Sequence, residues 1–372
     1  MTRALLALVL ILGHVPVAEA AKRRAAHHPA APVAPAALVT AARQAAEAAM
    51  AAGVPAVQIA VSHRGQIIYS EAFGMTDQES ATAATPRSVL RVGSITKQFT
   101  AAAILRLAER GALTLDDRIE KYVPEFDPRG RTITLRHLLT HTSGVARDPY
   151  LPTMTPPILS APFPREQAIQ ALNSKPFDFT PGSSWKYSNS GFLLLGYAIE
   201  SITGMSFADF VHSEFVLPLG LLDTGVCGTA NLPLPDGYSL VQGNWLRLWS
   251  YHPSGMVSSG ALCSTASDLV RWSHLLATGG VMLPASYATM TTATTLANNT
   301  VVPYGLGLDV KKIHGQPAAA HGGAVTGFLS FVLHLSDQDI AVAVVVNAFP
   351  APTAGNSELM AKAVANAALG SL

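Results

Sequence analysis

The sequence predicts an α/β chain of the α+β kind. One antiparallel sheet draws strands from both ends of the chain, terminal helices flank it, and a mostly helical lobe is inserted between its halves. Three observations carry this reading. Apolar, β-branched runs come as closely spaced pairs near each end, so each pair reads as a hairpin. The stretch between them, from about 100 to 277, is dominated by helical periodicity. Ala-rich helical segments open and close the folded region.

In chain order, Ala36 to Ala52 is helical and is stopped by Gly53-Val54-Pro55. Val57 to Val61 and Gln66 to Phe73 are strands around the turn His63-Arg64-Gly65. Thr100 to Gly111, with Ala, Leu and Arg and few β-branched residues, is a helix with a glycine stop. An apolar run from Phe192 to Ile199 follows. Phe328 to Leu335 and Ile340 to Asn347 form the second hairpin, around Ser336-Asp337-Gln338-Asp339. The run IAVAVVVN has the length of a buried strand and falls well short of the ~20 residues of a membrane span. Glu358 to Leu369 is the closing helix.

The first twenty residues have the pattern of a secretory signal: Arg3, the apolar run ALLALVLIL, and a small-x-small site at Ala18-Glu19-Ala20. Export to the periplasm or beyond is the expectation, although Lys22, Arg23 and Arg24 just past the site resist translocation and keep an uncleaved membrane anchor open. Residues 21–35 form a Pro/Ala-rich tether. His27 and His28 within it read as solvated side chains, because no ligand partners lie nearby. The domain then runs over 36–372. With 25 basic against 24 acidic residues the net charge is +1, which points away from nucleic acid. The expected partner is a small-molecule or peptide substrate. Cys227 and Cys263 have no metal-ligand spacing; as two thiols in an exported chain they are either paired or buried, and the sequence leaves this open. No metal or cofactor is called for.

Ser94-Ile95-Thr96-Lys97 places a hydroxyl and an amine three residues apart at a helix start, hence on one face. A serine hydroxyl needs a base beside it, and a lysine serves once burial or a neighbouring charge lowers its pKa. Two further motifs lie downstream. Tyr187-Ser188-Asn189 follows a Pro-Gly turn, and His321-Gly322-Gly323 follows an Ala run. In the order S-x-x-K, Y-x-N, H-x-G, they supply a nucleophile with its base, a proton relay, an amide-orienting side chain and a strand edge for an oxyanion.

With these motifs the chain resembles the serine β-lactamase and penicillin-binding-protein superfamily, most of all class C β-lactamases, DD-carboxypeptidases, family VIII esterases and D-amino-acid peptidases. RVGSITKQFTAAAILRLAERGALTLDD, ITLRHLLTHTSG, YSNSGFLLLGYAIESITG and PSGMVSSGALCSTASDLVRW extend the resemblance from about Ala36 to the C-terminus. It implies the same split fold, with the site in the cleft between the lobes. Ser94 is then the nucleophile, and Lys97 and Tyr187 form one proton network. Asn189 faces both Lys97 and a substrate carbonyl. The oxyanion donors are the backbone N–H groups of Ser94 and, by resemblance, Ala324.

The third motif departs from the β-lactamase pattern. His321 stands where those enzymes carry lysine, and Gly322 where they carry Thr or Ser. A partly charged imidazole and a bare glycine hold a carboxylate less firmly, which favours the esterase and peptidase branches over an efficient β-lactamase. Glu166, in PREQAIQAL, reads as part of a Pro-led helix start and not as a deacylating base. His141 reads as a structural turn histidine, and Asp268 as part of a capping box, Thr265-Ala266-Ser267-Asp268. No G-x-S-x-G elbow occurs, which argues against an α/β-hydrolase. The leading expectation is an exported serine hydrolase of esters, amides or D-amino-acid peptides. The alternatives are a β-lactamase or DD-carboxypeptidase, and, in a different class, a sensor that is acylated at Ser94 without turnover.

Overall fold

A computed structural model of the chain describes residues 34–148, 162–229, 232, 234–248 and 252–372. The expected signal and nearly all of the tether, with His27 and His28, lie outside the described residues. Ala34–Leu372 forms one unit.

Seven strands make the central sheet. We number those strands, and the helices that position the site, in chain order: α1 Ala36–Ala51, β1 Ala56–His63, β2 Gln66–Asp77, β3 Thr82–Ala83, α2 Thr96–Glu109, α3 Asn189–Thr203, α4 Ala266–Ala277, β4 Asp309–Ile313, β5 Gln316–Val325, β6 Phe328–Leu335, β7 Ile340–Val346 and α5 Ser357–Ser371. Their order across the sheet is β4-β5-β6-β7-β1-β2-β3. The ends of the chain meet where β1 pairs antiparallel with β7, from Val57 opposite Val346 to His63 opposite Ile340.

Local chemistry sets each hairpin. Arg64 and Gly65 both take positive φ, 50° and 77°, which is the two-residue turn that matches strand twist, so His63 pairs with Gln66. A Cβ on Gly65 would lie 2.5 Å from His274 Nε2, a second reason for glycine there. Strand β2 runs four residues past the expected end, because its extension pairs with β3.

Both faces of the sheet are buried, so its central strands read as continuous apolar runs. On one face Val57, Ile59, Val61, Val342, Val344 and Val346 pack with Leu38 and Ala42 of α1 and with Met360 and Val364 of α5. Ala60, Ala341, Ala343 and Val345 fall in the other core with Leu269 and Val270 of α4. This period-2 split places the terminal helices on one side and α4 on the other.

Two expectations change here. The DLVRWSHLL helix, α4, belongs to the sheet and not to the helical lobe: its apolar stripe packs against β1 and β7. The region between is also less purely helical than its periodicity implies. It contains the hairpin Gly237–Val241/Asn244–Leu248, and Leu262–Ser264 pairs with both Leu90–Arg91 and Gly225–Val226. These strands are only two to five residues long, too short to show a period of two. No single described helix is long and apolar enough to cross a membrane.

The capping box is half formed. Thr265 Oγ1 accepts from Asp268 N, but the Asp268 carboxylate turns outward to accept from Asp223 N and Thr224 Oγ1. It pins the loop before Gly225–Val226. Beside that contact Cys227 and Cys263 form a disulfide, with Cα atoms 5.2 Å apart.

The bridge closes a loop of 36 residues, and the chain-entropy relation gives it a worth of about 4 kcal/mol. Denatured, unreduced protein should therefore take up no thiol alkylating reagent. Cys227→Ala with Cys263→Ala should lower the denaturation free energy by about that amount, as read from urea unfolding.

Candidate active site

Each residue of the Ser94-Lys97 stretch has its own function in the local structure. Gly93–Ile95 is a single 3-10 turn leading into α2. Gly93 takes φ 52°, and a Cβ there would lie 3.0 Å from the nitrogen of Ala324, so the turn abuts the end of β5. Ile95 is buried. The Thr96 hydroxyl donates to Gly93 O (2.7 Å) and accepts from Leu262 N (3.0 Å), clamping the turn from behind. Behind it, α2 is held against α4 by the stacked rings of Phe99 and Trp272, 3.7 Å between centroids, and by Trp272 Nε1 donating to Gln98 Oε1.

Lys97 is fully buried. Its Nζ lies 3.1 Å from Ser94 Oγ, 2.6 Å from Asn189 Oδ1 and 2.7 Å from the carbonyl oxygen of Ser259. Asn189 Oδ1 and Ser259 O can only accept. A neutral amine therefore gives its two N–H bonds to them and turns its lone pair to the Ser94 hydroxyl, which becomes the donor. Burial drives Lys97 toward this form, holding its pKa well below the usual lysine value against the opposing pull of Asp148.

Tyr187 and Asn189 come together because Ser188 caps α3, its Oγ accepting from Gly191 N, with Asn189 as the first helical residue. The Tyr187 ring lies 4.7 Å below the Lys97 nitrogen, and its hydroxyl is close enough to Ser94 to feel its field. Burial raises the phenol's pKa, so it stays protonated and can donate. Asn189 also donates through Nδ2 to Asp148 Oδ2 (2.8 Å), leaving one amide hydrogen for a substrate.

The third motif lies within β5 itself. Its two glycines differ. A Cβ on Gly323 would sit 2.0 Å from Val92 O and 2.3 Å from Ser330 Oγ, whereas one on Gly322 would meet nothing nearer than Phe331 Cδ2 at 3.5 Å. Gly323 thus lets the strand press against the segment before the serine turn, and Gly322 leaves space in the cleft. Ser94, Tyr187, Asn189, His321, Gly322, Gly323 and Ala324 all line one cavity of about 420 Å³.

His321 differs from its expectation. The imidazole is not partly charged: burial holds its pKa at about 4. Both of its nitrogens are engaged internally, Nδ1 with Gly322 O (2.6 Å) and Nε2 with Tyr304 Oη (3.1 Å). His141, with φ 60°, is a turn residue that also reaches this group, its Nε2 lying 3.1 Å from Tyr304 Oη. Glu166 lies in the helix Arg165–Ser174 led by Pro164 and lines a different cleft.

The structure adds residues that the motifs did not single out. Asp148 supplies the carboxylate behind Asn189, and Arg147 both pairs with it and lies 5.5 Å over the Tyr187 ring. Trp185, Tyr304, Asp309 and Glu358 also line the cavity. Arg147 and Asp148 lie three and four residues past Gly144, the end of the LLTHTSG block, which was the one available signal. Tyr304 carried none.

A seven-stranded sheet with a serine–lysine pair at its edge, facing a tyrosine and an asparagine from a helical lobe, defines the β-lactamase and penicillin-binding-protein architecture. Residues 14–367 match the Beta-lactamase family model, and the chain belongs to that family. It is 26% identical over 316 residues to a D-aminopeptidase of Gluconobacter oxydans, covering 83% of this chain and 59% of that protein. It is 36% identical over 271 residues to esterase EstB of Burkholderia gladioli, covering 63% of this chain and 68% of the esterase. Among solved structures, a D-stereospecific amidohydrolase from a Streptomyces species superposes with a TM-score of 0.74 at 29% identity, over 90% of this chain and 99% of that one. The chain spans less than two thirds of the D-aminopeptidase's length.

The contrast between the two glycines is testable. Gly323→Ala should lower stability by roughly 1–3 kcal/mol through overpacking against Val92 and Ser330, while Gly322→Ala stays near neutral. Equilibrium urea unfolding of both variants decides it.

Proposed function

We propose that the chain is an exported serine hydrolase that works through an acyl-enzyme at Ser94 and cleaves esters, amides or D-amino-acid derivatives. The observation that carries this is the Lys97 amine, fully buried and in hydrogen-bond contact with Ser94 Oγ. Neutral Lys97 takes the hydroxyl proton as Oγ attacks the carbonyl carbon. The tetrahedral oxyanion lies between the N–H groups of Ser94 and Ala324, at the join where Gly93 meets β5. Tyr187 passes a proton to the leaving alkoxide or amine, and the ammonium of Lys97 restores it. The acyl carbon is then attacked by water, whose proton returns through the same pair while Ser94 Oγ departs.

The substrate range follows the relatives named D-aminopeptidase, esterase and D-stereospecific amidohydrolase. The third motif supports it: His321 has no ring N–H left for a carboxylate, and Gly322 has no hydroxyl. Export is supported by the N-terminal signal pattern and by the disulfide, which suits an oxidising compartment.

Ser94→Ala should abolish turnover of p-nitrophenyl esters and labelling by a fluorophosphonate probe; labelling that persists would refute the assignment. Tyr187→Phe keeps the ring and should lose ~10²-fold or more in kcat. Short-chain esters should show higher kcat/KM than a chromogenic cephalosporin, with more than one equivalent turned over. An acyl adduct on Ser94 that never decays, followed by mass spectrometry, would instead identify a sensor.

The pH profile follows from the lysine. Only the neutral amine accepts a proton, so activity falls as pH drops through the Lys97 pKa and is regained above it. Because burial depresses that pKa, the acid limb of kcat/KM for a neutral ester should lie well below pH 10.5, the usual lysine value. An activity still rising near that pH would show that Lys97 is not the base. The apparent value belongs to the coupled Lys97–Tyr187 pair.

A further inference from the structure

The buried polar groups beside the cleft form one chain whose proton directions are fixed by their partners. At its start, Ser188 N donates to His141 Nδ1 (3.2 Å), so a neutral His141 carries its hydrogen on Nε2. That N–H faces Tyr304 Oη at 3.1 Å, and Tyr304 Oη lies 3.1 Å from His321 Nε2. At the far end His321 Nδ1 meets Gly322 O, a carbonyl that can only accept, so the hydrogen is on Nδ1. His321 Nε2 is then an acceptor, and the donor to it must be the Tyr304 hydroxyl. Every bond points the same way, from the backbone of the Tyr187–Asn189 segment to the backbone of β5. Such a chain polarises in one sense and resists reversal of any member.

The surroundings reinforce this assignment. His141, Tyr304 and His321 are all buried, and burial disfavours the charged form of each. Of the charges that face His321, Asp309 favours the imidazolium while Lys97 and Lys311 oppose it.

Resting on the hydrolase reading above, we propose that Tyr304 is a positioning residue that sets substrate specificity: by donating to His321 Nε2 it locks His321 in the Nδ1–H tautomer, so the His321-Gly322-Gly323 edge presents backbone but no cation to the substrate. The cleft therefore selects esters and amides that are uncharged where they meet this edge, and disfavours those carrying a carboxylate there. Tyr304 makes the third motif selective without having to touch the scissile bond.

The tautomer is read directly from protein labelled with ¹⁵N-histidine. In long-range ¹H–¹⁵N spectra, with His321 assigned by its absence in His321→Gln, the native protein should show an Nδ1–H, Nε2-acceptor imidazole at pH 7. An Nε2–H pattern or an imidazolium would overturn the proposal, whatever the enzyme's activity. The second reading compares p-nitrophenyl butyrate with the mono-p-nitrophenyl ester of glutaric acid, which adds a carboxylate. Native protein should favour the butyrate, and a native preference for the glutarate would overturn the proposal. In Tyr304→Phe the Nε2 acceptor loses its donor and is free to carry a hydrogen. The kcat/KM ratio should then shift toward the glutarate ester by roughly tenfold, the worth of one hydrogen bond to a charged group. A purely structural role would lower both esters alike and leave the ratio unchanged, which refutes the assignment. If Tyr304→Phe does not fold, the native tautomer and the native ester ratio still decide it. Loss of Ser94 labelling in native protein would mark failure of the hydrolase reading instead, since the tautomer does not depend on it.

Discussion

The Lys97 amine is the group around which the site is arranged. An ammonium removed from water costs several kcal/mol unless it is paired and fully hydrogen-bonded. Here it meets one hydroxyl, one side-chain amide oxygen and one backbone carbonyl, with the Asp148 carboxylate one residue further out. The three partners come from three parts of the chain: the serine turn, the start of α3, and the Val257–Gly260 helical turn. Holding them about one amine requires the sheet edge and the helical lobe to be in register. Burial also lowers the cost of the neutral form, so the packing that places the lysine gives it its chemistry.

That register is maintained by close backbone approaches that only small residues permit. Gly323 brings β5 to Val92, Gly93 brings the serine turn to Ala324, and Gly196 lets α3 meet Ser258, where a Cβ would fall 2.1 Å from the serine hydroxyl oxygen. The nucleophile, the strand edge and the amide-bearing helix are each one such contact apart. The His141–Tyr304–His321 chain packs beside the Tyr187 ring and links the same two parts through side chains. The cleft is thus held in two ways, by van der Waals contact and by directed hydrogen bonds.

The third motif shows how the same scaffold changes its chemistry. A lysine at position 321 would offer a mobile ammonium to an anionic group. Histidine there is short, planar and able to accept as well as donate, so the protein interior can satisfy it completely. With Gly322 beside it, the edge is left as bare strand. One imidazole nitrogen of that histidine is taken up by Tyr304, 3.1 Å away.

Features governed by near neighbours in sequence were legible without the structure. The Ser94–Lys97 spacing follows from helical geometry, the hairpins from their turns and alternating strands, and the terminal helices from composition and glycine or proline stops. The three motifs could be gathered into one site because the resemblance brought the fold with it. What sequence alone left undetermined was non-local. Whether Cys227 and Cys263 pair depends on Leu262–Ser264 lying beside Gly225–Val226, and α4 faces the sheet because two faces of one apolar strand need cover. The ring nitrogens of His321 meet the carbonyl of Gly322 on one side and a tyrosine 17 residues away on the other, and burial removes the water that would favour its charged form. Periodicity reports which face of an element is apolar, but not what it meets; partners, desolvation and proton direction arise only when distant segments are packed together.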